Sequence, residues 1–216
     1  ADYHHIDQNI IIKKYRNYSP SYWGKKTMAP SALIFYIGIN KKIKNVKHHC
    51  LFFDKDFNNH FKEIYNTPRW PSDPLFYASF SSKTDPETAP KNHENMVLLI
   101  PIAPGLEDNK LTRNKYFELI ISRFEKITKQ SIRNNIIYKR SYAIRDFKKD
   151  YNSFKGNAYG LANTLFQTAI FKPSIRNKKL KNLLFCGQLT IPGPGVPPAI
   201  ISGGVVAKEV KKQITS

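Results

Sequence analysis

The stretch NLLFCGQLTIPGPGVPPAIISGGVVAKEV, residues 182–210, constrains the fold more than any other part of the sequence. Its apolar start predicts a β-strand that ends at Gly187, and PGPG predicts a tight turn. The residues beyond VPP predict a helix whose small side chains permit close packing. A strand, a glycine-rich turn and a helix N-terminus bring backbone amides and a positive helix end to an anionic or electron-rich group. The residues alone leave two interpretations open, a ligand-contacting turn and a plain tight turn.

Two prolines decide which amides of this turn a ligand can reach. Pro197 and Pro198 suit the first turn of a helix, where no amide hydrogen is needed within the helix. Because neither has an N–H group, they remove two possible hydrogen-bond donors. Val196 and Ala199 are then the nearest amides expected to be available to a ligand.

Five further segments have the apolar, β-branched and aromatic composition of β-strands. The first four are joined by short connections, which is typical of an antiparallel or mixed sheet. The first two are close enough in sequence for us to expect a hairpin. The predicted strands are residues 31–39, 46–54, 74–82, 94–105 and 134–144.

Three other segments predict helices. Residues 110–130 give the clearest pattern, because one face is apolar and the other carries Lys, Arg and Glu. Residues 56–66 predict a helix that the following prolines end, and residues 145–154 predict a short basic helix. The sequence therefore predicts an α/β (α+β) fold with a mixed or antiparallel sheet. The apolar face of the clearest helix consists of Phe117, Ile120, Ile121, Phe124 and Ile127.

The chain carries a formal charge of +19, from 35 Lys and Arg against 16 Asp and Glu. This excess favours anionic partners such as nucleic acids, phosphate cofactors or acidic lipid headgroups, and does not choose among them. No RGG, RRM or zinc-finger pattern is present, so we expect no nucleic-acid partner and keep it as a minor alternative. No apolar run reaches the roughly 18 residues of a transmembrane helix, and membrane-surface contact stays open. Two cysteines without CxxC spacing suggest a reducing compartment.

Other patterns that could carry chemistry favour ordinary structural roles. The pairs His4–His5 and His48–His49 lack HExxH or HxH spacing, and adjacent residues of a strand point to opposite faces, so we predict no metal site. No GxSxG motif is present, and Cys186 is interpreted as a small core residue rather than a nucleophile. The aromatic residues 21–23 and 75–80 favour core packing over a ligand pocket.

The segment GQLTIPGPGVPPAIISGGVVA, residues 187–207, closely resembles the C-terminal flavin-contacting segment of the phytoene dehydrogenase and carotenoid desaturase family. That family is part of the amine-oxidase-like FAD proteins. Residues 28–53 and 81–104 resemble its substrate domain, and residues 156–190 resemble the approach to its last strand. The resemblance covers the whole chain. It implies a substrate-binding domain in residues 1–154 and, in residues 155–216, the closing strand, turn and helix of an FAD-binding, Rossmann-like domain.

The resemblance also implies the cofactor, FAD, and its contacts. Gly187 and Gln188 would stand where the last strand ends beside the ribityl and phosphate region, and Gln188 replaces an acid found in many relatives. Gly193 and Gly195 would let the backbone pass close to the isoalloxazine. The helix N-terminus would face the flavin N1–C2=O edge, where reduced flavin becomes anionic. The implied contacts are Gly187, Gln188, Gly193, Gly195, Val196 and Ala199.

The implied reaction is the desaturation of a long polyene-type hydrocarbon such as phytoene, with a hydride passing to the flavin. Such a substrate resides in lipid, so we expect a cytoplasmic protein, peripheral to the membrane, held by basic residues at about 1 kcal/mol each. No catalytic side chain is identified, and a polyene isomerase or saturase on the same scaffold is an alternative. The substrate tunnel is expected to include Tyr36, Phe80, Tyr159 and Phe166.

The family begins with a Rossmann βαβ unit that carries GxGxxG, and this sequence has no such motif. The start ADYHHIDQ has no initiator Met and resembles the middle of the family's sequence. We therefore expect the C-terminal part of such an enzyme, inactive alone and completed by a separate N-terminal Rossmann half. The alternative from a different class is a non-catalytic basic module that binds lipid surfaces or nucleic acid.

Overall fold

The structure is a computed structural model that describes residues 2–215. The chain forms two compact units. The sheet unit is Ser31–Arg145, and the terminal unit joins residues 1–30 to residues 146–216. The resemblance to the family places a domain boundary between residues 154 and 155. This boundary stays a prediction.

The sheet unit is built on five strands, and the terminal unit contains most of the shorter helices. The strands are β1 Ser31–Ile39, β2 His49–Phe52, β3 Phe76–Ser79, β4 Glu94–Ile102 and β5 Ile136–Tyr142. The α-helices are α1 Tyr3–His5, α2 Pro20–Gly24, α3 Phe57–Tyr65, α4 Lys110–Thr128, α5 Ile144–Tyr151 and α6 Val196–Thr215.

The sheet has the strand order β2–β3–β4–β1–β5, and every neighbouring pair is antiparallel. The expected hairpin between β1 and β2 is wrong, because β1 pairs with β4 and β5 while β2 pairs with β3. Strand β1 is apolar and buries Leu33, Phe35 and Ile37 on one face, and it pairs with β4 along one edge and with β5 along the other. Strand β2 exposes His49 and Leu51, which suits an edge.

Helix α4 covers one face of the sheet with the apolar residues that its periodicity predicts. Phe117, Ile120, Ile121 and Phe124 are buried in the core of the sheet unit, whereas Ile127 stays partly exposed near the end of the helix. The helix begins at a capping residue, since the Thr112 amide donates to Oδ1 of Asn109 at 2.9 Å. The predicted pattern therefore places the helix correctly against the sheet.

An aromatic cluster forms the core of the terminal unit. The Tyr3 ring stacks on Phe185 at 3.8 Å and meets Trp23 edge-on at 5.6 Å. The buried Asp7 carboxylate accepts hydrogen bonds from the Trp23 indole at 3.1 Å and the Asn17 amide at 2.7 Å. These bonds satisfy a charge that burial would otherwise penalise. The cluster thereby fixes Phe185 just before the glycine-rich turn.

Residues 182–187 do not form the predicted strand. Leu184 makes an isolated antiparallel bridge with Arg176, and the Phe185 amide donates to the Ile175 carbonyl at 2.7 Å. Within residues 2–215 no strand lies beside this segment, so its backbone pairs only with a neighbouring loop. The helix predicted after VPP is confirmed as α6. Together, the helices and the antiparallel sheet confirm the predicted α/β fold class.

The argument about adjacent histidines is wrong for His48 and His49, whose rings stack at 4.1 Å. Only His49 belongs to β2, so the alternation of a strand does not hold at His48. Each ring bonds a hydroxyl, His48 to Thr84 at 2.7 Å and His49 to Tyr77 at 2.5 Å. None of the helices in residues 2–215 is both long enough and apolar enough to cross a membrane.

Replacing Phe124 by Ala should destabilise the sheet unit. Its ring is fully buried and lies 5.7 Å from that of Phe52 and 6.0 Å from that of Phe80. We expect the free energy of unfolding to fall by about 3–5 kcal/mol, because the substitution leaves a cavity. Chemical denaturation measures the change. The control is Leu111→Ala on the same helix, which is exposed and should change stability by less than about 0.5 kcal/mol.

Candidate functional site

The turn of residues 187–195, which precedes α6 and which we call the Gly187 turn, is held by hydrogen bonds that involve buried hydroxyl groups. The Gly187 amide donates to Oγ of Ser202 on α6 at 2.6 Å, and that hydroxyl donates to the Ala199 carbonyl at 3.0 Å. Thr190 donates to the Gly187 carbonyl from its amide at 3.0 Å and from its hydroxyl at 2.9 Å. Both Ser202 and Thr190 are fully buried. The start of the turn is therefore fixed to the helix that follows it.

Three glycines of the turn have backbone angles that favour glycine, with φ of +107° at Gly187, +141° at Gly193 and +108° at Gly195. A Cβ atom at Gly187 would meet no atom within 4 Å, so its backbone faces open space. Gly193 is buried, and a Cβ atom there would lie 3.2 Å from Cε of Lys172. The turn exposes its backbone at Gly187 and covers it at Gly193.

A cavity of about 390 Å³ opens beside Gly187. This volume lies in the range of roughly 300–1,000 Å³ that is usual for small-molecule sites. Its walls combine aromatic rings, exposed backbone and neutral amides. The lining residues are Asp2, Tyr3, Phe147, Tyr151, Ser153, Asn157, Ala158, Cys186, Gly187, Gln188 and Leu189.

A chain of hydrogen bonds orients Gln188 in this cavity. The Asn157 amide group donates to Oδ2 of Asp2 at 3.2 Å, and its Oδ1 accepts from Gln188 Nε2 at 3.4 Å. Asn157 Oδ1 also accepts from the Gly160 amide at 2.7 Å. A Cβ atom at Gly160, whose φ is +77°, would lie 3.0 Å from the Gln188 carbonyl oxygen, so a side chain there would strain this close packing.

Burial shifts the titration of two cavity residues toward their neutral forms. It raises the pKa of Asp2, against hydrogen bonds from the Phe154 amide, Asn157 and the His4 amide that stabilise the carboxylate. It also raises the pKa of Tyr3, whose hydroxyl donates to the Ser174 carbonyl at 2.9 Å. Asp2 is the one Asp, Glu, Lys or Arg among the described residues that line the cavity, so the cavity presents few charged groups to a ligand.

The structure separates the six expected cofactor contacts. Gly187 and Gln188 line the cavity, whereas the other four lie outside its lining, in the later turn and the first residues of α6. The expectation that the Ala199 amide is available is wrong, because this amide donates to the Gly195 carbonyl at 3.0 Å within the helix. Of the two expected donors, Val196 remains.

Lys172 is a candidate residue that the sequence analysis missed. It is only 6% exposed, although it is a lysine, and burial lowers its pKa. In residues 2–215 its ammonium has Asn163 Oδ1 at 3.4 Å as a partner and makes no carboxylate ion pair. Its side chain lies over Gly193. A poorly neutralised cation beside the turn can stabilise negative charge that develops on a ligand. A single Lys among 35 basic residues gave no signal of this.

The expected tunnel residues are divided between the two units. Tyr36 is partly exposed on the face of the sheet opposite α4, and Tyr159 and Phe166 are exposed in the terminal unit. Phe80 is fully enclosed in the core of the sheet unit, so it has no surface with which to line a substrate path. The strand register aligns a largely apolar row of side chains on the face that carries Tyr36: Leu51, Tyr77, Leu99, Ile34 and Tyr142.

The residues of the Gly187 turn fit one edge of a bound flavin. The open space around the Gly187 backbone lets a flat group approach, and the cavity beside it has amide and aromatic walls. The Val196 amide and the Lys172 ammonium supply positive potential at the later part of the same turn. The donor set thus matches a ligand that gains electron density when it is reduced.

The half-buried His4 should make the stability of the terminal unit depend on pH. Burial lowers the pKa of His4 to about 4, and the Asp7 carboxylate opposes this shift. An unfolded histidine binds a proton near pH 6.5. The free energy of unfolding should therefore fall as the pH drops from about 7 toward 4, because the unfolded state is protonated first.

The variant His4→Phe keeps a ring that can stack on Phe154, which lies 3.9 Å from the His4 ring, and removes the titration. Denaturation across this pH range should show a shallower loss of stability in the variant. Equal slopes for the two proteins would contradict the interpretation.

The geometry agrees with comparisons to known proteins. The model of the family "flavin containing amine oxidoreductase" matches residues 46–211. The chain is 39% identical to a carotenoid 3,4-desaturase of Haloarcula japonica, an alignment that covers 99% of this chain and 43% of that protein. It is 30% identical to a 4,4'-diapophytoene desaturase of Staphylococcus haemolyticus, over 99% of this chain and 44% of that protein.

A third relative is a 4,4'-diapolycopen-4-al dehydrogenase of Metabacillus indicus, 32% identical over 79% of this chain and 35% of that protein. The chain thus spans less than half the length of each of these three relatives. The match to a flavin-containing family confirms the expected cofactor, FAD. The chain belongs to the flavin-containing amine oxidoreductase family, and it is similar to part of a carotenoid 3,4-desaturase and to part of a 4,4'-diapophytoene desaturase.

Proposed function

We propose that the chain is the C-terminal part of an FAD-dependent oxidoreductase that desaturates a carotenoid precursor such as phytoene. The observation that carries this proposal is the Gly187 turn, which is fixed to α6 and opens into a cavity of about 390 Å³. The names of two relatives, which describe desaturation of carotenoid substrates, support the choice of reaction and substrate class.

Bound FAD would accept the hydride that leaves the polyene. The chain's own residues would position the cofactor and stabilise charge. The open backbone at Gly187 and the amide of Gln188, oriented by Asn157, would hold it. The Val196 amide and Lys172 would supply positive potential at the turn.

The exposed face of the sheet suits an apolar substrate. Ile34, Tyr36 and Leu99 are only partly covered there, whereas the opposite face is buried under α4. A hydrocarbon chain placed on these side chains would displace water and gain from the hydrophobic effect. We propose Tyr36 as a substrate contact of the sheet unit. Separately, we propose Tyr159, which is exposed in the terminal unit, as a substrate contact of that unit.

Helix α6 indicates how the cofactor site would be completed. Its large apolar side chains are exposed, and Ser202 is its one fully buried residue among those the structure describes. A separate N-terminal Rossmann half is the partner we propose for this surface, because such a half would bind the ADP part of FAD. The exposed residues are Val196, Ile200, Ile201, Val210 and Ile214.

Co-expression with an N-terminal Rossmann half should give a yellow protein with a flavin spectrum, and the chain expressed alone should contain no flavin. Ile200→Asp should abolish flavin retention, because it places a charge on the apolar surface of α6. Leu111→Asp is the matched control, since Leu111 is also a strongly exposed apolar residue, on α4. FAD retained by the chain alone would contradict the need for a second half.

Incubation of the coloured complex with phytoene then tests the reaction, since an isomer or a saturated product would exclude desaturation.

Lys172→Met should weaken the stabilisation of reduced flavin in that complex. We expect the midpoint potential of the flavin to become more negative by at least about 30 mV, which is tenfold in the equilibrium of a two-electron couple. Spectroelectrochemical titration measures this potential without substrate. Lys172→Arg should restore most of it, and Lys208→Met on the exposed part of α6 is the control. An unchanged potential in Lys172→Met would remove Lys172 from the site.

A further inference from the structure

Helix α3 of the sheet unit turns aromatic side chains outward and buries polar ones. Phe57 and Phe61 are 60% and 47% exposed, whereas His60 and Glu63 are buried. Surface helices of globular proteins usually show the opposite arrangement, with the apolar face toward the core. Glu63 pairs with Arg69 at 2.8 Å, and both ring nitrogens of His60 are hydrogen-bonded to backbone groups. The polar face thus holds the helix to the sheet unit and leaves the aromatic face outward.

The outward aromatic rings form a continuous row, which we call the aromatic ladder. Their four-residue spacing suits one side of a helix, and the centroids of successive rings lie 6.5, 6.4 and 4.8 Å apart. A groove of about 770 Å³ adjoins the first ring and is also lined by Leu51 and Ile127. Such a contiguous group of exposed apolar side chains marks an interaction site. The ladder consists of Phe53, Phe57, Phe61 and Tyr65.

The sequence of the aromatic ladder is symmetric about Asn59. Phe57 and Phe61 are equally distant from this residue along the chain, and so are Phe53 and Tyr65. In a two-fold symmetric contact the same surface patch of each copy meets itself in reverse order. Two antiparallel copies of α3 related by an axis at Asn59 would therefore bring each aromatic ring opposite an aromatic ring of the second copy.

The charged residues that flank the ladder follow the same symmetry with opposite signs. Asp56 and Lys62 are equally distant from Asn59 along the chain, and both are exposed. In the antiparallel arrangement each Asp56 would face Lys62 of the second copy, so the contact contains two complementary charge pairs. The two helix dipoles would also run in opposite directions, which is favourable.

The surroundings of the ladder differ in charge from the rest of the chain. Residues 53–73 contain four acidic and three basic residues, within a chain whose formal charge is +19. Two copies can therefore approach each other here without the repulsion that the basic segments would cause. The same balance gives this surface no attraction for an anionic partner.

The apolar area of the ladder and its groove is sufficient for a weak dimer. Phe53, Leu51 and Ile127 are 62%, 65% and 43% exposed, in addition to the rings of α3. An aromatic side chain presents about 150–250 Å², so the exposed part amounts to roughly 500 Å² in each copy. Two copies would bury about 1,000 Å² in total, which is the lower bound for a specific interface. We therefore expect a reversible dimer that depends on concentration.

We propose that the aromatic ladder is a homodimer interface, in which two copies of this chain pack α3 against α3 in antiparallel order. The ladder belongs to the sheet unit, whereas α6, the surface proposed for an N-terminal half, belongs to the terminal unit. The dimer does not require flavin, substrate or a second half. Its test is therefore separate from that of the proposed function.

Sedimentation velocity of the 216-residue chain across a concentration series tests the proposal. We expect a reversible monomer–dimer equilibrium. The double variant Phe57→Ser/Phe61→Ser should lower the association constant at least about tenfold, because each dimer would bury both rings of both copies. The control Leu111→Ser/Ile137→Ser removes two exposed apolar residues of the sheet unit outside the ladder and should change the constant less than about twofold.

Charge reversal tests the antiparallel order. Lys62→Asp and Asp56→Lys should each lower self-association at least about tenfold, because like charges would then face each other at two places in the dimer. An equimolar mixture of the two variants should associate again, since every facing pair would have opposite signs. Asp56 also caps α3 by accepting from the Asn58 amide at 2.9 Å, so circular dichroism checks that its variant is folded. The loss in Lys62→Asp, which leaves the cap unchanged, should diminish at high salt.

A chain that stays monomeric would overturn the proposal, and so would equal losses in the ladder pair and the control pair. A mixture of the two charge variants that associates no better than either alone would overturn the antiparallel order. If co-expression with an N-terminal Rossmann half abolishes the dimer, and Phe57→Ser/Phe61→Ser weakens binding of that half, the occupant of the ladder is the half and the proposal fails.

Discussion

The hydrogen bond between the Gly187 amide and the Ser202 hydroxyl fixes the candidate site. It joins the start of the glycine-rich turn to α6 across the residues between them. Because Ser202 is the one fully buried residue of α6 within residues 2–215, this bond takes over part of the role of the apolar contacts that usually hold a helix in place. The position of the Val196 amide and the open backbone of Gly187 both depend on it.

Much of the fold could be predicted from sequence patterns of short range. The nine-residue strand β1 and helix α4 appear where periodicity and composition place them, since their side chains are sorted by burial against a core within the sheet unit. Strand pairing could not be predicted in the same way. Proximity in sequence favoured a β1–β2 hairpin, but the backbone of β1 needs a partner along both edges and finds it in β4 and β5, which lie farther along the chain. That requirement concerns the whole sheet, and no local pattern expresses it.

The candidate site shows the same division. The glycines of the turn could be identified from the sequence, because the positive φ angles that the turn requires strongly favour glycine. The chain of bonds from Asp2 through Asn157 to Gln188 could not be identified, because its members are far apart in sequence and are common residue types. The prediction of a strand at residues 182–187 is wrong for a related reason. Its apolar composition predicts a strand, but a strand also needs a partner backbone beside it.

Lys172 brings an unusual buried charge to the turn. Its side chain lies over Gly193, and its ammonium has Asn163 Oδ1 at 3.4 Å as a hydrogen-bond partner. Burial of a lysine costs free energy unless the charge is paired and hydrogen-bonded, and burial lowers the pKa of Lys172. Negative charge on a reduced flavin bound at this turn would supply a counter-charge for the ammonium. The lysine and the reduced cofactor would then stabilise each other, so the free energy lost by burying the lysine would be recovered when the flavin is reduced.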